Sequence, residues 1–325
     1  AHDNDDCPTM LHLPTLRAAI ALLVWGTHIV RTGMLRVFGE NLRNVLAKSF
    51  SNRGSALLAG LGVTSLVQSS TATCLILASF AGKGLVATGA ALAVLLGADV
   101  GTAMMAVVYS FDLSWLSPLL IFVGVVMFTT GQDSTIGRVG RVLIGLGLIT
   151  LALQLIVGAT RPLTESPAVA LPNGVMLDIL VGAMLTVFAY SSLAIVLLTA
   201  TLATSGMVPV TVALGLVLGA NIGSAVLAMI ATANQAPQAR RLPLGNLVFK
   251  LVGALIAIPL LPWIQPWLQQ TVGEVHQQVV LFHLGFNVLM AITFIGFTGP
   301  VARIVERWLP RPTAGANGDR PRHLD

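Results

Sequence analysis

The sequence predicts an all-α polytopic membrane protein made of two inverted-topology repeats, each with a re-entrant helical hairpin and an interrupted transmembrane helix. Three observations carry this expectation. Of 325 residues, 55% are hydrophobic and 10% charged, with mean hydropathy +0.85, whereas a soluble domain carries about 25% charged residues. One ungapped offset of 122 (191 − 69, 219 − 97) lays Ser69 on Ser191 and Gly97-Ala98-Asp99-Val100-Gly101-Thr102 on Gly219-Ala220-Asn221-Ile222-Gly223-Ser224. The basic residues gather on one side of the membrane only if two apolar segments turn back on themselves.

The charge pattern removes one class of partner. A net charge of +5 and an isoelectric point near 9.9 would suit nucleic acid if the charges shared a soluble face. They separate apolar segments instead, as topology-setting charges do, so the lipid bilayer is the expected surface partner and no nucleic acid is expected. Cys7 and Cys74 offer neither a disulfide framework nor a metal-ligand spacing. The chain starts at Ala1 without a cleavable signal pattern and reads as processed or trimmed.

Residues 1–12, with Asp3, Asp5 and Asp6, read as a solvated external tail. Residues 13–53 hold a first spanning helix, Leu13 to about Met34, and a basic stretch, Leu35 to Asn52. That stretch is expected as a helix along the membrane surface, because Leu42, Val45, Leu46 and Phe50 are interspersed with Arg36, Arg43 and Lys48. The first repeat is set at 54–159 and opens with the apolar segment Gly54 to Gly82, whose centre is Gln68-Ser69-Ser70-Thr71-Ala72-Thr73. A polar centre argues for a hairpin whose arms, about 14 and 11 residues at about 1.5 Å each, reach part-way through a roughly 30 Å core. Its tip then lies within protein or beside a wet cavity. Gly84 to Ser110 follows, expected to break at Gly97–Thr102, then spans at Leu116 to Thr130 and Val139 to Gly158.

A connector covers 160–175. The second repeat, 176–300, has the same parts: a hairpin from Met176 to Thr204 with Ser191-Ser192 at its tip, a segment from Met207 to Thr232 expected to break at Gly219–Ser224, and spans near Leu242 to Leu261 and Val279 to Gly299. Residues 301–325 read as a basic cytoplasmic tail. With each hairpin counted as no crossing and the Arg31–Arg53 loop inside, 15 of the 18 Lys and Arg fall on the cytoplasmic side, as the positive-inside rule requires. A repeat with three crossings turns its copy upside down, the architecture of secondary transporters with a mid-membrane site.

In each hairpin the second arm begins at the tip, so its unpaired N–H groups and positive dipole end point inward. Ser69, Ser70, Thr71, Ser191 and Ser192 add hydroxyl donors there, a combination that binds oxyanions. The first arms end at the same tips with free carbonyls, which suit a hard cation such as Na⁺. Asp99 is the one of 13 acidic residues deep in an expected span, which marks it as a cation or proton ligand; the alternative is a cap for a broken helix. Gln68, Thr102, Asn221 and Ser224 complete the candidate set. Lys250 has two open placements, snorkelling to the inner surface or facing the centre. His283 and Asn287, at i and i+4, are equally open between packing and the site, and His28 reads as a packing residue.

The ordered set of these motifs, with the basic pair Arg240-Arg241 and the His283-x-x-Phe286-Asn287 pattern, resembles the type II sodium–phosphate cotransporter family over about Leu16 to Val301. The resemblance implies Na⁺-coupled phosphate symport by alternating access, with inorganic phosphate and Na⁺ as partners and no cofactor beyond the coupling ion. It points to Gln68, Ser69, Ser70, Thr71, Ser191, Ser192, Asn221 and Ser224 for phosphate and to Gln68, Thr102 and Asn221 for Na⁺, to which the buried carboxylate of Asp99 is added from the residue reading above. Tyr190, Leu193, Asp99 and Lys250 depart from the family pattern. About 25 residues follow the last span, so no helical regulatory domain is expected there. An export direction, an H⁺-coupled carrier of another small oxyanion and a non-transporting sensor or assembly protein are the rival readings. No enzyme is expected, since no nucleotide loop or catalytic pair is present. A bacterial inner membrane suits the topology, with an external N-terminus, a cytoplasmic C-terminus and room for a homodimer.

Overall fold

A computed structural model describes residues 7–111, 114–132, 134–160 and 174–310. Residues 161–173 of the expected 160–175 connector and the tail positions 1–6 and 311–325 lie outside the described residues. Among the described residues there is no strand, and twelve α-helices run in order: α1 (Cys7–Lys48), α2 (Arg53–Val67), α3 (Ser70–Gly82), α4 (Thr88–Tyr109), α5 (Ser117–Thr130), α6 (Thr135–Thr160), α7 (Val175–Ala189), α8 (Ser192–Thr204), α9 (Val210–Thr232), α10 (Pro237–Thr271), α11 (Val275–Phe294) and α12 (Thr298–Trp308). Six stretches of these residues are long and apolar enough to cross a membrane: Leu13–Ser51, α4, α6, α9, α10 and Val275–Trp308. The chain is an integral membrane protein.

The offset seen in the sequence returns as element bounds. Adding 122 to the ends of α2 and α3 gives the ends of α7 and α8, and α4 and α9 begin at Thr88 and Val210. The packing repeats too, with α2 along α4 and α7 along α9. At their closest approach a Cβ on Gly97 would overlap the Leu57 carbonyl oxygen, and one on Gly219 would overlap that of Ile179. Leu57 and Ile179 are themselves 122 residues apart.

Three expectations are corrected. Leu35 to Asn52 is not a separate surface helix, since α1 continues unbroken to Lys48. Leu42 and Leu46, one turn apart, are buried there, so packing carries the helix past its basic residues. The breaks at Gly97–Thr102 and Gly219–Ser224 are absent, and α4 and α9 are continuous through both motifs. Their polar side chains satisfy themselves locally: Thr102 Oγ1 donates to the Ala98 carbonyl at 3.2 Å and Asn221 Nδ2 to the Val217 carbonyl at 2.9 Å. Finally, the span expected at Leu116 to Thr130 is a 14-residue helix of about 21 Å, shorter than a roughly 30 Å hydrocarbon core.

The two units meet around α3, α4, α8 and α9. Helix α10 lies against α3, α4 and α9, while α11 lies against α4, α8 and α9. Leu92, Leu95, Leu193, Leu197, Leu214 and Phe249 are fully buried in this core, where the polar residues of the two motifs also lie.

Candidate functional site

Each hairpin tip is built by the same backbone device. The first arm stops at a residue in the left-handed region, Gln68 with φ 60° or Tyr190 with φ 53°. The next residue is extended and caps the second arm: Ser69 Oγ accepts from the Ala72 N–H at 3.2 Å, and Ser191 Oγ accepts from the Ala194 N–H at 3.1 Å. Serine suits this position because its short oxygen reaches an N–H of the first turn that has no partner within the helix. A non-glycine residue in the left-handed region is uncommon, and here it occurs twice, at equivalent positions.

The tips come together. Gln68, Ser69, Ala189, Tyr190 and Ser191 line one narrow pocket whose remaining wall is Val24, Thr27, His28 and Arg31 of α1. The half-buried Arg31 guanidinium donates through Nη1 to the Tyr190 carbonyl at 3.1 Å, and its Nη2 lies 3.0 Å from His28 Nδ1. These bonds use two of the five N–H donors a guanidinium carries. Gln68, 7% exposed, is held from behind, its Oε1 accepting from the Tyr109 hydroxyl at 3.0 Å. The pocket therefore joins two capping hydroxyls to a cation with planar donor geometry.

A second, deeper constellation lies between α4, α9, α10 and α11. Lys250, 2% exposed, does not snorkel. Its Nζ lies 2.9 Å from Asp99 Oδ1 and donates to Ser224 Oγ at 2.7 Å. Ser224 Oγ in turn donates to the Asn221 carbonyl at 2.7 Å. Asn221 Oδ1 accepts from Asn287 Nδ2 at 3.0 Å, and His283 Nδ1 lies 3.1 Å from Asn221 Nδ2 and 3.2 Å from Asn287 Nδ2. His283 Nε2 is buried without a hydrogen-bond partner.

Helix α3 links the two constellations. The Ser70 N–H donates to Thr102 Oγ1 at 3.2 Å, and Thr71 Oγ1 reaches the Ser224 carbonyl at 3.4 Å. The structure thus gathers Gln68, Ser69 and Ser191 in one pocket, and Asp99, Asn221, Ser224, Lys250, His283 and Asn287 in a second constellation. Ser192 opens α8 beside Ser191. Sequence reasoning placed Arg31 only among the basic residues of a loop and His28 among packing residues; their i, i+3 spacing on an unbroken helix, with Thr27 beside them, is the signal that groups them. Tyr109 gave no signal, since its link to Gln68 spans 41 residues.

The oxygens expected to hold Na⁺ are already engaged by donors of the chain. Gln68 Oε1 is taken by Tyr109, Asp99 Oδ1 by Lys250, Thr102 Oγ1 by the Ser70 N–H and Asn221 Oδ1 by Asn287.

Comparison with known proteins gives a consistent answer. A family model described as Na⁺/Pi-cotransporter matches residues 22–157 and 170–291. The chain is 48% identical over 325 residues to the Escherichia coli (strain K12) protein named "Putative inorganic phosphate export protein YjbB", a match covering 97% of this chain and 59% of that protein. The Salmonella typhimurium protein of the same name is 47% identical over 321 residues, with the same coverage. A Bacillus subtilis protein, YqeW, is 24% identical over 306 residues and matches along 99% of its own length. The chain therefore spans about three fifths of the length of the YjbB relatives, at 59%. No solved structure matches it.

Proposed function

Because the chain belongs to the Na⁺/Pi-cotransporter family, we propose that it carries inorganic phosphate across a membrane by alternating access, binding the anion between the two hairpin tips. The observation that carries this reading is the convergence of the Ser69 and Ser191 caps with Arg31 on one pocket. Helix N-termini and hydroxyls favour an oxyanion, and guanidinium donors match phosphate geometry. The short helices α2, α3, α7 and α8 act as re-entrant hairpins in this proposal, and the 122-residue repeat is inverted. Basic residues then face the cytoplasm, the N-terminus lies outside and the membrane is a bacterial inner membrane.

Two versions differ in coupling. Na⁺-driven symport is what the resemblance implies, with Gln68, Thr102 and Asn221 as its ligands and the Asp99 carboxylate beside them. Export along the phosphate gradient is favoured by the Lys250 ammonium that already faces Asp99 and by the names of the YjbB relatives.

The test is ³²P-phosphate counterflow with the purified chain in proteoliposomes, competed with sulfate, arsenate and carboxylates. Ser69→Asp and Ser191→Asp keep a capping oxygen, since aspartate caps as well as serine, but set a negative charge against the anion. Each is expected to lower exchange at least about tenfold while the protein stays folded, as is Arg31→Gln, on the scale of a lost charge-assisted hydrogen bond. Undiminished exchange in all three would remove phosphate from the tips. Phosphate binding without counterflow would favour a sensor over a carrier.

A further inference from the structure

Lys250 is the group that the family resemblance leaves unexplained. It stands on α10, yet its two partners, Asp99 on α4 and Ser224 on α9, come from the equivalent motifs of the two repeats. Asp99 is the residue of Gly97–Thr102 that could neutralise a cation, and Ser224 is the counterpart of Thr102, 122 residues on. A carboxylate with a hydroxyl behind it is the donor chemistry of a hard cation bound by oxygen ligands. Here the cation is an ammonium, held at 2.9 and 2.7 Å.

The surroundings are those of an ion site. Lys250 is 2% exposed, Asp99 7% and Ser224 4%, so solvent does not screen the charges. Ser224 is oriented by donating to the Asn221 carbonyl, and the Thr71 hydroxyl reaches the carbonyl of Ser224 itself. The ammonium therefore bridges both repeats, and its partner Ser224 is in turn reached by Thr71 of α3, the helix that begins at the Ser69 tip. A dissociable cation placed there would have the same reach.

We infer that the Lys250 ammonium is a tethered cation that occupies the place of a coupling ion between the repeats, so that this chain works without Na⁺ at that position. The inference rests on the proposal that the chain carries phosphate. It adds that the bridging charge is covalently attached and cannot leave with the substrate. Net phosphate movement then follows the gradient of phosphate itself and the membrane potential, and an inside-negative potential drives an anion outward. Removing the ammonium while keeping Asp99 and Ser224 leaves an oxygen-lined site that a small cation can enter.

The test compares the wild-type chain with Lys250→Met in NaCl and in choline chloride of equal ionic strength, by phosphate counterflow and by thermal unfolding in detergent. Wild-type exchange is expected to be the same in both salts within about twofold, with no Na⁺-specific shift in Tm. Lys250→Met is expected to lose at least about tenfold of its exchange in choline, to recover it in Na⁺ and to gain a Tm shift of a few degrees with Na⁺, as binding to the folded state alone requires. A wild-type Tm or exchange rate that responds to Na⁺ overturns the inference, as does a folded Lys250→Met that responds in neither assay. If Lys250→Met does not fold, the double variant Asp99→Asn with Lys250→Met removes both charges. It should fold and ignore Na⁺; a Na⁺-dependent Tm in it overturns the assignment of Asp99 as the ligand. If neither protein exchanges phosphate, the transport proposal fails and the Tm data alone decide this inference.

Discussion

The Asp99–Lys250 pair shows why a buried charge in this chain is read with its partner. A carboxylate taken into a low-dielectric core alone is costly, and the pair at 2.9 Å offsets that cost. Removing one partner leaves the other uncompensated. Asp99→Asn and Lys250→Met are each expected to lower stability by about 3–5 kcal/mol, while the double variant loses much less. Chemical unfolding of the four proteins checks this, and additive losses would show that the two groups do not depend on each other. Asp99 could be singled out from sequence because a carboxylate amid apolar residues is conspicuous. Its partner, 151 residues away, could not, because a lysine about eight residues into its expected span snorkels as readily as it pairs.

Glycine at the two motifs acts through helix packing rather than through unwinding. Sequence alone does not separate the two uses, since a residue without a Cβ serves both. The neighbouring helix decides: α2 presses on α4 at Gly97, and α7 on α9 at Gly219, each against a backbone carbonyl that cannot move aside. Gly97→Ala and Gly219→Ala are expected to destabilise by about 1–3 kcal/mol or more through overpacking. Gly62→Ala, on α2 with open space around the added methyl, is expected to be neutral or to stabilise by up to about 1 kcal/mol, the helix propensity difference. Thermal unfolding midpoints in detergent separate the two outcomes; equal effects at Gly62 and Gly97 would remove close packing as the reason for the motif glycines. At the tips, by contrast, the helix stop did show in the sequence, because polar residues interrupt the apolar runs at Gln68–Thr73 and at Ser191-Ser192, while the capping role of Ser69 and Ser191 came from the structure.

For the molecule as a whole, the inverted arrangement has a direct test. Lys83 and Ser205 end α3 and α8 and are equivalent under the 122-residue offset. In a background of Cys7→Ser and Cys74→Ala, Lys83→Cys and Ser205→Cys are expected to react with an impermeant thiol reagent from opposite sides of the membrane. Labelling from the same side would make the repeats parallel. The crossing count behind this expectation depends on α5, whose 14 residues are too few for a perpendicular span, so the labelling pattern also reports how α5 lies.

The amino-acid order determined what is local or periodic. The helical membrane class followed from composition, the duplication from a constant offset, and the turns before α3 and α8 from polar residues set in an apolar run. Those features depend on neighbours in the chain or on one-dimensional repetition. Tertiary structure alone decided that α1 runs on and supplies Arg31 to the pocket between the tips, that α4 and α9 stay unbroken, and that Lys250 closes on Asp99 and Ser224. Each of these outcomes turns on which helix lies alongside which, and the energy of a buried charge or a missing Cβ is set by what faces it across that contact.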